Sequence, residues 1–312
     1  MANPEVLATL TKAFTGLGVD ETSLVKVLGK SHPDHRRSFR KANPHMFSDD
    51  ERSFEKWNED HMELLKHEFL RFKNAMVLWA MHPWERDARI MKEALREGPD
   101  AYNVIIEVAC TRTSEEIYGA RKAYHSLFDL SVEEDMAIQV KGSARKLLVA
   151  LVSAYRYEGP KVKDDAAKSE AKILAEECKT NSIENEEVIR ILSTRSKLHL
   201  KAVYKHYNDI CGKSILEDLD PSDNLLKTTI ECLCIPHTYF SKVLFDSKQT
   251  EADQRTKTSL TRILVTRADV DIEEIKEEYN KMHGVSLAQK IDETANGNYK
   301  EFMLALINKE EA

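Results

Sequence analysis

Apolar residues along this chain recur at helical spacing, and that spacing itself comes round four times. Ser31, Arg112, Arg195 and Arg267 serve as reference points. Seven, four and three residues before them stand Leu24, Val27 and Leu28; Ile105, Val108 and Ala109; Val188, Ile191 and Leu192; and Leu260, Ile263 and Leu264. All twelve are apolar, at the offsets that place side chains on one buried helix stripe. Past the three arginines the match continues. Tyr124, Tyr207 and Tyr279 lie twelve residues on, and Ser131, Ser214 and Ser286 seven beyond those, each followed by Val132, Ile215 or Leu287. The reference points are 81, 83 and 72 residues apart. A period that long, filled with helical patterning, predicts several helices per unit and one unit used four times.

Apolar stripes predict helices over Val6–Phe14, Glu21–Leu28, Asp87–Arg96, Tyr102–Ala109, Ser114–His125, Arg145–Tyr155, Ala166–Glu177, Glu187–Leu192, Lys197–Asn208, Leu260–Val265, Ile272–Lys281 and Tyr299–Ile307. Thr113-Ser114-Glu115-Glu116 reads as a helix start, with a short hydroxyl residue followed by early acids. Arg40–Asp60 reads as a charged insertion in the first repeat, and Trp79 to Trp84, around His82-Pro83, as the joint to the second. The polar stretch Glu158–Asp165 reads as a linker that separates two pairs of repeats near mid-chain. Asn308–Ala312 is a polar tail.

Composition agrees with an all-α protein. Glycine and proline number only 10 and 8 in 312 residues, which disfavours turn-rich β structure. The net charge of −7 gives no global attraction to nucleic acid or to an anionic membrane, so contact with phosphate needs a local patch or a bridging cation. Five irregularly spaced cysteines do not form a secreted disulfide framework. With no basic-then-apolar leader after Met1 and no apolar run long enough to span a bilayer, the simplest expectation is a reduced cytoplasmic protein.

Candidate chemistry sits ahead of the first repeated helix, in Phe14-Thr15-Gly16-Leu17-Gly18-Val19-Asp20-Glu21. Two glycines flanking one residue allow positive φ and let backbone carbonyls converge. Carbonyl oxygens suit Ca²⁺, a hard ion that takes six to eight oxygen ligands. The same residues also describe an ordinary helix–loop–helix turn. No third glycine and no preceding strand support a dinucleotide loop, and no Gly-x-x-x-x-Gly-Lys run supports a nucleotide hydrolase.

The fourfold helical period, opening on Gly-Leu-Gly-Val-Asp-Glu, resembles the annexin family over essentially the whole chain. Ala109-Cys110-Thr111-Arg112-Thr113, Arg121-Lys122-Ala123-Tyr124-His125, Arg145-Lys146-Leu147-Leu148-Val149, Val152–Gly159 and Val188–Ser196 look like those of plant annexins. The resemblance implies four repeats of about five helices each, over residues 5–80, 86–157, 166–240 and 241–310, forming a curved two-layer disc. It implies a Ca²⁺-dependent phospholipid-binding protein, not an enzyme, that joins acidic membranes peripherally, at the plasma membrane when Ca²⁺ rises. A link to stress signalling or Ca²⁺ flux comes with it. F-actin, self-association and another annexin stand open as further partners, and nucleic acid does not. The rival reading is an α-helical scaffold for protein partners with little calcium dependence.

Carried over residue by residue, the family's metal ligands fall on the carbonyls of Phe14, Gly16 and Gly18, in the loop between the first two helices, and on the carboxylate of Glu68, 50 residues past Gly18 at the start of a second loop that runs to Phe72. Leu17 falls at the loop tip, placed either to enter the headgroup boundary or to cap its own repeat. The other repeats carry Glu97 and Pro99, Thr180 and Ser182, and Ala252 and Gln254 in place of the two glycines. Gln139 stands at the acid position of the second repeat and Asp220 near that of the third. In the fourth, Glu293-Thr294 before Gly297 leaves a second site open, so one principal site is expected. The match of Cys110 and Cys232 to plant-annexin cysteines with a proposed redox role is set against burial as small hydrophobes. Ile189-Arg190-Ile191, matched to an actin-linked stretch, reads as helix core. Lys30 stands where a histidine has been tied to peroxidase activity, so that activity is not expected. The three arginines read as ion-pair partners, and Arg36–Lys41 as a solvated cationic face.

Overall fold

The computed structural model describes residues 4–28, 31–49, 54–177, 184–220, 223–247 and 253–308. Among them, helices α1 (Pro4–Ala13), α2 (Glu21–Leu28) and α3 (Pro33–Ala42) precede a hairpin of β1 (Phe47–Asp49) and β2 (Glu55–Trp57), and then comes α4 (Glu59–Ala80). Next are α5 (Pro83–Glu97), α6 (Tyr102–Thr111), α7 (Ser114–Phe128), α8 (Val132–Gln139) and α9 (Ala144–Val152). They are followed by α10 (Asp164–Glu177), α11 (Glu186–Thr194), α12 (Lys197–Cys211), α13 (Ile215–Asp218) and α14 (Asn224–Cys234). The chain ends with α15 (Pro236–Asp246), α16 (Gln254–Arg267), α17 (Ile272–His283), α18 (Leu287–Thr294) and α19 (Gly297–Ile307). The fold is all-α, as the periodicity implies.

Two compact units emerge, one from residues 1–80 with 240–312 and the other from 81–239. The stretch at Glu158–Asp165 therefore does not divide the chain, as its polarity suggests. It lies inside the second unit, where Tyr157 N donates to Thr194 O at 2.9 Å and the Arg156 guanidinium donates to the carbonyls of Arg195 and Leu192, each at 2.6 Å. Backbone carbonyls at the end of α11 need donors, and Arg156, just ahead of this stretch, supplies them.

In the first unit Leu10, Ala13, Phe14, Leu24, Phe39, Phe47 and Leu65 form a core from α1, α2, α3, the hairpin and α4. The hairpin falls in the supposed charged insertion and closes this core from one side. Phe47 pairs with Trp57 across the antiparallel register, their ring centroids 4.2 Å apart. Helix α4 runs 22 residues without a break, through the point where the family resemblance implies a loop beside Glu68. Its sequence holds no glycine or proline and is rich in Leu, Glu, Lys, Arg, Met and Ala, so nothing stops the helix.

The repeated residues have repeated tasks. Tyr124, Tyr207 and Tyr279 are each fully buried. Ser131, Ser214 and Ser286 cap α8, α13 and α18, accepting from Glu134 N, Leu216 N and Gln289 N at 3.1, 3.2 and 3.0 Å. Thr113 and Glu116 form a reciprocal capping box at the start of α7. All three arginines meet a carboxylate: Arg112 meets Asp87 (2.8 and 3.0 Å), Arg195 meets Glu170 (2.8 and 2.5 Å) and Arg267 meets Asp271 (2.7 and 2.6 Å).

Arg112 and Asp87 are both nearly inaccessible, so removing one strands the other. Arg112→Leu is expected to cost about 3–5 kcal/mol in urea unfolding, and adding Asp87→Leu to recover a large part of it. Equal cost for the single and double variants would show that the pair is not the cause.

Candidate functional site

The loop between α1 and α2 is built from its two glycines. Gly16 has φ +94° and Gly18 φ +78°, conformations that a Cβ disfavours. A Cβ on Gly16 would start 2.7 Å from Thr294 O, and one on Gly18 2.9 Å from Tyr299 Cβ. The loop enters from the buried Phe14 ring, which lies 5.9 Å from Phe39 and 5.8 Å from Trp57. It leaves through Asp20, whose carboxylate accepts from Ser23 N at 3.0 Å and Ser23 Oγ at 2.6 Å, starting α2. Burial pushes the Asp20 carboxyl up, but the two Ser23 bonds, with Lys26 and Lys300, hold it below its usual value. Among the described residues, the carbonyl oxygens of Phe14, Gly16 and Gly18 accept no hydrogen bond.

Leu17 is not presented to solvent. It is 4% exposed and pairs in parallel with Ala295: Leu17 N donates to Thr294 O at 2.9 Å, and Asn296 N donates to Leu17 O at 2.8 Å. Asn296 Nδ2 also donates to Thr15 O. Leu17 therefore neither enters a headgroup boundary nor caps its own repeat. The short strand-like segment between α18 and α19 had free backbone groups to offer, and the tip of the loop takes them.

Glu68 does reach the loop, 50 residues on, with Gly18 N donating to its Oε2 at 2.6 Å. It does so from the middle of α4, one turn before Arg71. Arg71 Nε donates to Oε2 and Arg71 Nη2 to Oε1, each at 2.6 Å, and both side chains are about 5% exposed. Arg71 also donates to Gln254 Oε1 at 3.1 Å and Lys257 O at 3.4 Å, and its guanidinium carbon lies 5.7 Å from the Tyr299 ring centroid. Burial works against the Arg71 cation, yet the hydrogen bonds and charge of Glu68 outweigh it and raise the pKa. The loop thus carries three unused carbonyls, and its Gly18 amide meets a carboxylate that already holds a cation. That donor set fits Ca²⁺ in chemistry, with Arg71 as the stand-in positive charge. Arg71 carries no motif, and only its helical offset from Glu68 could have flagged it. A second acid missed in the sequence is Glu21, whose buried Oε2 has no hydrogen-bond partner among the described residues.

The other repeats offer less. Gln139 donates to Asp135 as part of a structural network, and Pro99 opens a short 3₁₀ turn. Lys30, Thr180, Ser182 and Ala252 lie outside the described residues. Asp220 is exposed, and Gln254 begins α16 and binds Arg71. Glu293 lies on α18 and accepts from Gln289 Nε2 at 3.0 Å. Ile189 and Ile191 are buried in α11, and Arg190 pairs with Glu187 and Glu170. Cys110 and Cys232 are buried free thiols. Burial pushes Cys110 up to about 11, Cys234 up to about 12 and Cys232 well above its ordinary value.

The annexin family model matches residues 86–151, 169–223 and 248–306. Annexin D4 of Arabidopsis thaliana is 54% identical over 99% of both chains. The annexin-like protein RJ4 of Fragaria ananassa is 38% identical over 97% of this chain and 94% of its own. The solved structure of chicken annexin V superposes with a TM-score of 0.68 at 25% identity, covering 99% and 98% of the two chains. Fold, repeat pattern and glycine loop converge with these matches: the chain belongs to the annexin family.

Two outcomes test this geometry. Gly18→Ala should lose about 1–3 kcal/mol of stability through its positive φ alone, read by chemical unfolding; an unchanged midpoint would show that the loop relaxes freely. At pH 8 the native Cys110 and Cys232 should alkylate at least about a hundredfold more slowly than in urea, followed peptide by peptide. Rates equal to those of the unfolded chain would contradict their burial.

Proposed function

We propose that this protein docks reversibly on acidic phospholipid membranes through Ca²⁺ held at the first-repeat loop. The observation that supports this reading is the set of unused carbonyls on Phe14, Gly16 and Gly18 in a loop whose Gly18 amide meets the Glu68 carboxylate. These four groups would hold the ion, and the ion would supply the positive charge that meets a lipid phosphate. The chain is acidic overall, at −7, and so is repelled by an anionic surface until a divalent cation reverses the sign locally. Membrane and Ca²⁺ then strengthen each other by the same factor. The protein resides in the cytosol and joins the plasma membrane peripherally. No helix among the described residues is long and apolar enough to cross a bilayer.

The first repeat is the principal site because the other repeats lack the glycine pair. The chain works as a binding protein: its loop offers neutral oxygen ligands rather than a nucleophile paired with a base. Co-sedimentation with phosphatidylserine vesicles over a Ca²⁺ series is the test. The natural chain should pellet only with Ca²⁺. Glu68→Gln, checked for folding by circular dichroism, should need about tenfold more Ca²⁺ or above, the cost of losing the one charged ligand. If Glu68→Gln pellets at the same Ca²⁺ concentration, the assignment to this loop is wrong.

A further inference from the structure

Glu68 has two carboxylate oxygens, and Arg71 takes both of them. The pair is set by the helix itself, since residues three apart lie on one face and α4 is unbroken between them. Arg71 is also held from outside α4: Gln254 and Lys257 of α16 accept from it, and the Tyr299 ring of α19 lies beneath it. The guanidinium is thus a cation fixed in place at the acid that accepts from Gly18 N. A divalent ion held by both oxygens of Glu68 needs positions that Arg71 now occupies, and the ion and the guanidinium repel each other at hydrogen-bond distance.

We propose that Arg71 is a built-in competitor for Ca²⁺ at Glu68 and sets the Ca²⁺ concentration at which the first-repeat loop engages. This rests on the reading of that loop as the Ca²⁺ site. When Ca²⁺ binds, the Arg71–Glu68 pair opens, and the guanidinium stays with Gln254 Oε1 and Lys257 O. The apparent affinity is the intrinsic affinity of the loop reduced by the fraction of molecules in which Arg71 has let go. A loop of sound ligand geometry is thereby tuned to respond only at raised Ca²⁺.

Calorimetric titration of the full chain with CaCl₂, without lipid, separates the outcomes. Arg71→Met should tighten the principal binding event by about tenfold or more, Arg71→Lys by less, and Glu68→Gln should remove it. Ca²⁺ should also raise the melting temperature of Arg71→Met more than that of the natural chain. If Glu68→Gln removes binding but folded Arg71→Met binds no tighter than the natural chain, the competitor role is overturned while the site stands. If neither the natural chain nor any variant binds Ca²⁺ through Glu68, the site itself fails, and the competitor role with it. Should Arg71→Met not fold, NMR of the natural chain decides. On Ca²⁺ saturation the Gly18 amide and the Arg71 Nε–H resonance should shift together, the latter gaining exchange with water. A Gly18 shift with Arg71 unmoved overturns the proposal.

Discussion

A carboxylate taken out of water must be met by donors and by positive charge, and in the unit formed by the two ends of the chain that demand is concentrated at Glu68. Its partners come from three places: Gly18 on the loop, Arg71 on the same helix and, through Arg71, α16 and α19. Glu68 can satisfy all of them only if α4 passes the loop at one depth and one rotation. The packing of the unit and the readiness of the loop for a cation are therefore one problem with one solution. The unit of residues 81–239 meets similar demands in more places, with Arg112 on Asp87 and with Arg195 and His199 on Glu170.

Most of the scaffold can be read from the order of residues. The i, i+3, i+4 stripes mark helices whose burial is confirmed at Ile105, Leu192 and Leu264. The recurring serines prove to be caps, and the recurring tyrosines core, because both tasks depend on local chemistry repeated at a fixed offset. Helix α4 leaves no apolar stripe in the sequence, because its buried face mixes Leu65 and Ala75 with the charged pair Glu68 and Arg71. Which repeats join is not marked either, because a polar run such as Glu158–Asp165 reports composition and not contact.

The site was legible in part for the same reason. Gly16 and Gly18 announce positive φ, and they have it. The partners of the loop come from far along the chain and leave no local mark. Nothing near Leu17 says that Ala295 will pair with it, and nothing near Glu68 says that Arg71 will be held by Gln254. Long-range pairing is a property of the closed structure, and spacing within one segment carries no record of it.

The bridge between Leu17 and Ala295 bears on how the molecule is made. The contact between Thr15 and Asn296 spans 281 residues, and that between Arg71 and Lys257 spans 186. Residues 81–239 form a continuous stretch that can collapse while translation is still under way. The amino-terminal helices cannot finish their unit until the final repeat has left the ribosome. Through most of synthesis the glycine loop waits without its partner segment, so the part of the chain made first is completed last.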